Sequence, residues 1–569
     1  MKTLLITGAA VLFGTAAYAQ SAIDAYRLSQ PDLKGTARYM SMAGAFGALG
    51  SDLSTLSHNP AGIGVYRKSD VGFTLDLDLQ NSESTSNIGK TSADQTKFLL
   101  NNIGFVWTLK LPSSTCPNLN LGFTYNKSAS FNRRYQGGIG LNNSLSNYIA
   151  ANATESGYSE GMLLGDGYDP YNPPYGNNTA DWLAILGYDG YLFSNKPVSG
   201  TAGEPNYVGQ WGANTIGTGY FDVIESGGID SYNIAFGGNI ANVVFWGMDF
   251  DITHMNYNIT PTWQENLDNA RVGDDTGYLS TMASLWQLNN YYNCSGTGFN
   301  YKLGFIIKPI QEFRIGFAFE TPTWYSLTET FAADLSAIYN NEQRVDVTTN
   351  GGNWAYNNVN FRTPWKINAS AAAVLFSKFI FSAEYEWTQY KGMKYSTPSY
   401  WGGSDYWYDN YYPWDYWYSA ETNAPGYDSM IMDDDFYYTN REIKQYYRNT
   451  NTIRLGAEFL ITPQVSIRAG YSYVSSPVQS KTKNSEVITV GTMPNYRLDN
   501  QTNYLTCGLG YKFKNFYIDL AYIYKHLTSE YYAFSPYYEP DNYTKLVPAQ
   551  KASIALNNSQ IVMSAGFKF

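Results

Sequence analysis

From Ser69 onward the chain alternates apolar and polar residues with a period of two. Val71, Phe73, Leu75, Leu77 and Leu79 face one way and Gly72, Thr74, Asp76 and Asp78 the other, the signature of a strand with one apolar and one polar face. About nine residues of such alternation is the length a tilted strand needs to cross a bilayer. The pattern recurs at Ile103–Leu109, Leu119–Tyr125, Tyr232–Phe236, Val244–Ile252, Tyr301–Ile307, Phe313–Phe319, Trp365–Ala371, Phe379–Trp387, Ile453–Phe459, Val465–Tyr471, Leu505–Tyr511, Phe516–Tyr522 and Ile561–Phe569. The expected fold class is therefore all-β: a transmembrane antiparallel β-barrel of about fourteen strands, an even number as single-chain bacterial barrels have.

Connection lengths alternate as well. Tight links are expected at Lys308-Pro309-Ile310-Gln311, Phe376-Ser377-Lys378, Thr462-Pro463-Gln464 and Lys514-Asn515, each after a strand preceded by a longer connection. Outer-membrane barrels pair short periplasmic turns with long outer loops in this way. Both termini then fall on the periplasmic side, and the longest segments, about 129–230 and 391–447, form extracellular loops too long to be incidental.

The N-terminus is built differently. Met1-Lys2, the apolar run Leu4 to Phe13 and Ala17-Tyr18-Ala19 read as a Sec signal peptide over 1–19, cut before Gln20. Residues 20–68 lack the strand period: Ala22 to Gln30 and Thr36 to Leu56 are Ala-, Met- and Gly-rich with weak helical periodicity, broken by Pro31 and Pro60. They are expected to form a small helical hatch that plugs the lumen of a barrel spanning 69–569. Gly44, Gly47 and Gly50 would make a close-packing ridge, and Asn59 to Gly64 a tight turn, since Pro60 fixes φ and Gly62 and Gly64 can take positive φ.

Composition narrows the class further. Charged residues are only 15% of the 569 and aromatics 17%, with 52 Tyr. A mean hydropathy of −0.34 and the lack of long apolar runs past the N-terminus exclude a helical membrane protein. So many aromatics are unlike a disordered chain. The net charge of −11 provides no basic face for nucleic acid. Cys116, Cys294 and Cys507 form no disulfide framework, and His58, His254 and His526 are too scattered for a zinc site. No catalytic constellation is evident, so neither an enzyme nor a cofactor or metal site is expected.

The polar parity carries Asp76, Asp78, Asp249, Asp251, Lys302, Arg314, Glu320, Lys366, Glu384, Glu386, Arg454, Glu458, Arg468 and Asp519. Cross-strand ion pairing that fills the lumen accounts for most of them. The arginines Arg314, Arg454 and Arg468 are also candidate anchors for a ligand carboxylate, which guanidinium matches bidentately. His58 beside the hatch turn could act as a haem ligand or pH switch, and Asp433-Asp434-Asp435 could bind calcium; capping and solvation are the simpler roles.

Two runs carry a family resemblance: Ala43-Gly44-Ala45-Phe46-Gly47-Ala48-Leu49-Gly50, and Asn59-Pro60-Ala61-Gly62-Ile63-Gly64-Val65-Tyr66-Arg67. With fourteen strands and a terminal Phe569, they resemble the FadL/OmpP1/TodX outer-membrane transporters, whose hatch carries an Asn-Pro-Ala signature. The resemblance implies a monomeric barrel in outer-membrane lipid and lipopolysaccharide. It further implies passive uptake of hydrophobic small molecules, such as long-chain fatty acids or aromatic hydrocarbons, with release beside the hatch through a gap in the wall. Phe46, Leu49, Asn59, Pro60, Ala61 and Gly62 would belong to the hatch and its ligand site. The alternative within the same resemblance is a non-transport partner barrel acting in protein secretion or surface-protein docking. The Tyr- and Trp-rich run Tyr406 to Tyr418 in the long outer loop departs from a simple fatty-acid carrier.

Overall fold

The computed structural model describes residues 21–164, 180–195, 207–273, 279–398, 436–484, 487, 489, 491–539 and 542–569, apart from positions 31 and 341. The signal peptide, the Tyr/Trp run at 406–418 and Asp433 to Asp435 lie outside these residues. Fourteen strands pair antiparallel, each with its neighbour in sequence order: β1 Asp70–Ser86, β2 Gly89–Lys110, β3 Asn118–Ser130, β4 Ile216–Ile240, β5 Val244–Gly273, β6 Leu279–Ile310 and β7 Phe313–Glu320. They continue as β8 Lys366–Leu375, β9 Phe379–Thr388, β10 Thr450–Leu460, β11 Val465–Val474, β12 Tyr496–Phe513, β13 Phe516–Tyr532 and β14 Lys551–Lys568. Pairing of β14 back onto β1, from Asp70↔Lys568 to Thr85↔Ser553, closes the barrel. Closure joins the first and last strands and so removes the two end edges of the sheet, which hydrocarbon could not satisfy.

The apolar parity points outward. Val71, Phe73, Trp107, Phe123, Ile234, Phe250, Phe305, Phe317, Phe381, Leu455, Leu509, Leu520 and Met563 are all exposed, and together they form a lipid-facing band. At one end the links are short; the β6–β7 turn lies at Gln311-Glu312, later than expected, because Lys308 to Ile310 still carry strand geometry. At the other end several strands run far beyond the band. On β5 the outward apolar series stops at Ile252, yet the strand continues to Gly273.

This extension corrects the loop boundaries. Within 129–230, strand continues through Arg133–Gly140 after a bend at Phe131-Asn132, and β4 starts at Ile216. The residues of 216–230 include Gly217, Gly219, Gly227 and Gly228 and their outer face meets water, so no apolar alternation marks them. Within 391–447, a short strand Lys394–Ser396 and a helix Tyr437–Tyr446 are described.

The loop end is filled rather than open. Helices Leu145–Glu155 and Trp182–Asp189, the N-terminal helix α1 Ala22–Leu28 and the inward aromatics Trp286, Tyr257, Tyr292 and Tyr531 share one core. Tyr26 of α1 stacks on Tyr447 at 5.2 Å and meets Tyr390 edge-on at 5.4 Å. Helix α1 is held at its start by a capping box, in which Ser21 and Asp24 satisfy each other's backbone amides.

In this core, about thirteen residues beyond the band on β5 (at ~3.3 Å per residue), Glu265 is buried. It accepts hydrogen bonds from the Leu145 amide at 2.8 Å, the Ser144 hydroxyl at 2.5 Å and the Trp263 indole at 3.0 Å. Desolvation outweighs them and pushes the carboxyl from 4.5 up to about 7. The raised value makes protonation favour the fold, so that stability is fully present below about pH 4.5 and lost as pH rises through 7, about 3 kcal/mol in all. Glu265→Gln should therefore flatten the dependence of thermal unfolding on pH between 5 and 8; identical slopes in variant and parent would remove Glu265 from this account.

Candidate functional site: the hatch and a break in the wall

Between α1 and the first strand the chain folds into the lumen at the height of the apolar band. Thr36 caps the short helix Ala37–Ser41, accepting from the Tyr39 amide at 3.2 Å. The chain then reverses through Ala43 and Gly44, with φ of 52° and 77°, a conformation glycine adopts at no cost. Asn59 caps the 3-10 helix Pro60–Val65, with Pro60 in its first turn, where no amide is needed. The expected turn at Asn59 to Gly64 is this helix, and Gly62 and Gly64 do not take positive φ. They are needed for room instead: a β-carbon at Gly62 would strike Thr55, and one at Gly64 the Gly238 carbonyl.

The Asn-Pro-Ala signature has a mechanical reading. Asn59 Nδ2 donates to the Gly47 carbonyl at 2.5 Å while its Oδ1 accepts from the Ala61 amide at 3.1 Å. One side chain thus ties two hatch segments together. The hatch backbone rests directly on inward-facing glycines of the wall. A β-carbon at Gly304 would overlap Asn59, at Gly247 the Pro60 carbonyl, at Gly316 the Gly47 carbonyl, at Gly470 the Met42–Ala43 peptide and at Gly508 Ser41. These glycines were missed in the sequence, although each occupies a polar-parity slot of its strand. Phe46 and Leu49 are buried against the wall residues and Tyr39 rather than lining open space.

Charge then locks the hatch to the wall. Glu384 of β9 accepts from the Gly47 amide at 2.9 Å and pairs with His58 Nε2 at 2.7 Å and Arg454 at 2.6 Å; Arg454 also holds Glu386 at 3.0 Å. His58, Glu384 and Glu386 present ligand atoms within 4.8 Å of one another, but a cation there would have to displace Arg454. Lys34 reaches Asp76 at 2.7 Å, and Arg38 reaches Glu458, which Arg468 shares with Asp519. Lys302 serves Asp249 and Asp251, and Lys366 serves Glu320. Of the three arginines singled out, Arg454 and Arg468 are each paired with two carboxylates. Among the described residues Arg314 donates only to the Leu49 carbonyl, at 2.8 Å.

The wall itself is interrupted. Strand β2 pairs with β3 only from Asn102↔Asn126 to Lys110↔Asn118. Beyond Asn102, β2 keeps β1 as its partner up to Gly89, while β3 shifts register after Lys127 and stays with β4. The outward side chains there are still Leu100 and Phe98, both exposed, so the break falls within the apolar band. An amide ladder borders it: Asn102 donates to Asn126 at 2.5 Å, Asn126 to Asn233 at 2.8 Å and Asn233 to Asp249 at 2.8 Å. Immediately behind, buried Asn101 donates to the Met40 sulfur of the hatch at 3.4 Å. Lys97 and Leu99 have the inward parity, yet Lys97 is exposed. The Asn101-Asn102 doublet, where alternation falters, is the signal in the sequence.

Residues 265–535 match the family model described as outer membrane protein transport protein (OMPP1/FadL/TodX). The resemblance read from the hatch is thus borne out by a different part of the chain, since 43–67 lie outside the match. Similar solved structures include the P. putida toluene transporter TodX, 12% identical over 95% of this chain and 99% of that one with a TM-score of 0.47. A Pseudomonas aeruginosa FadL homologue is 13% identical, with the same coverages and TM-score. The Ralstonia pickettii toluene transporter TbuX is 12% identical over 95% and 99%, with a TM-score of 0.43. A search of curated proteins finds no match.

Removing one partner of a buried ion pair costs about 3–5 kcal/mol, and Glu384 holds two hatch groups, the Gly47 amide and His58, besides Arg454 of β10. Glu384→Gln should leave a heat-modifiable, folded barrel whose conductance in planar bilayers rises several-fold. Unchanged conductance in a folded variant would mean that this cluster does not hold the hatch shut.

Proposed function

We propose that this chain is an outer-membrane transport protein for passive uptake of hydrophobic small molecules, of long-chain fatty-acid or aromatic-hydrocarbon type. The end with short turns faces the periplasm and the aromatic-cored end faces outward. The observation that carries the reading is the interruption between β2 and β3 inside the lipid-facing band. An unpaired strand margin in hydrocarbon is costly, and here it lies in front of the hatch helix Ala37–Ser41. A molecule arriving from the loop end would be stopped by the hatch and turned sideways past Leu99, Asn101 and Met40 into the bilayer. Burial of an apolar ligand supplies its own driving force, so no energy source is required.

Cells expressing the protein should accumulate radiolabelled toluene or dodecanoate faster than cells lacking it. Leu99→Trp, placed in the interruption, should cut that rate several-fold while leaving the barrel heat-modifiable. Uptake equal to the parent's would place the exit elsewhere. An epitope inserted at Lys514-Asn515 should be unlabelled on intact cells; surface labelling would invert the orientation.

A further inference from the structure

Arg314 stands apart among the lumen-parity charges, because every other one named above sits in an ion pair. Its guanidinium gives one hydrogen bond to the hatch, at the Leu49 carbonyl, and its Nε is buried with no acceptor. Among the described residues no carboxylate pairs with it, and the neighbouring charges that bear on it most are those of Arg38 and Arg67. Lys308 lies opposite on β6, bracketed by the cross-strand pairs Ile310↔Phe313 and Ile307↔Ile315, so that it shares the lumen face of Arg314. Arg314 and Arg67 are the charges that bear on it most, and its ammonium donates to Gln311 at 3.1 Å. Arg67, at the foot of β1, spends its donors on backbone carbonyls, Asn118 and Asn242.

We infer that Arg314 and Lys308, backed by the field of Arg67, form an anion site at the short-turn mouth, directly beneath the hatch, that receives the charged oxygens of a carboxylate or phosphate head group. Uncompensated buried cation is costly in a chain whose net charge is −11 and whose other lumen charges are matched. A planar guanidinium with free donors on one edge fits a two-oxygen head group, and the neighbouring ammonium adds a second positive charge. The site is separate from the interruption between β2 and β3, and it lies on the far side of the hatch from the aromatic core. It would hold an acid that has passed the hatch, or the head group of a lipid in the adjoining leaflet; both present the same anionic oxygens. The inference rests on the transport reading for its biological meaning but not for its test.

Purified protein in a non-ionic detergent should be titrated with dodecanoate, dodecanol and inorganic phosphate by calorimetry. Arg314→Gln, and the exposed-side variant Lys308→Gln, should weaken dodecanoate about tenfold and about threefold, with dodecanol changed less than twofold and Arg314→Lys retaining most of the binding. Competition by millimolar phosphate would assign the site to any small oxyanion, and lack of competition to an amphiphile's head group. Dodecanoate binding within twofold of the parent in both Gln variants, or equal losses for dodecanol, would overturn the site. Toluene uptake by cells carrying Arg314→Gln separates this failure from failure of the transport reading, because toluene has no charge to bind.

Discussion

Hydrocarbon offers no partner to a peptide group, and the rest of this structure depends on that constraint. It forces the fourteen strands to close, from β1 through to the β14–β1 pairing, and it pushes every apolar parity outward. It also gives weight to the place where β2 and β3 part within the band. At the last paired level before it, the amides of Asn102, Asn126 and Asn233 run in a row along the lumen side, and the Asn101 side chain turns to a hatch methionine.

The hatch is fitted to the lumen by two different means. Contact comes from glycines: with no β-carbons at Gly247, Gly316 and Gly470 backbone meets backbone, and at Gly304 and Gly508 the side chains of Asn59 and Ser41 lie against the wall. Placement comes from charge: Lys34, Arg38 and His58 each meet a carboxylate on the wall, in a space where losing a partner is expensive. Together they fix the hatch against the wall at several points. Arg314 breaks the symmetry of this arrangement and gives the mouth below the hatch a chemistry of its own.

Long strands carry rings such as Tyr257, Trp263, Trp286, Tyr292 and Tyr531 above the band, where they pack inward around α1 and the loop helices. The lumen is therefore occupied along its height, first by an aromatic core and then by the hatch. A ligand has to move between packed side chains, which suits apolar molecules and disfavours free diffusion of solutes.

Period-two alternation, turn residues and the Asn59-Pro60-Ala61 run were enough to determine the strand number, the outward faces, the charged lumen and an N-terminal hatch. Each is a local property: side-chain parity, backbone preference and capping act over a few residues, and a bilayer enforces them uniformly. Other features lay beyond the sequence because they arise from pairs of residues far apart in the chain. Where β3 leaves β2, which charges find partners, and that α1 rises into the loop-end core depend on register and three-dimensional proximity, as in Lys34 with Asp76 or His58 with Glu384. The strands at 216–230 escaped notice for a related reason. Above the band no lipid selects an apolar face, so only the pairing of β4 with β5 reveals them.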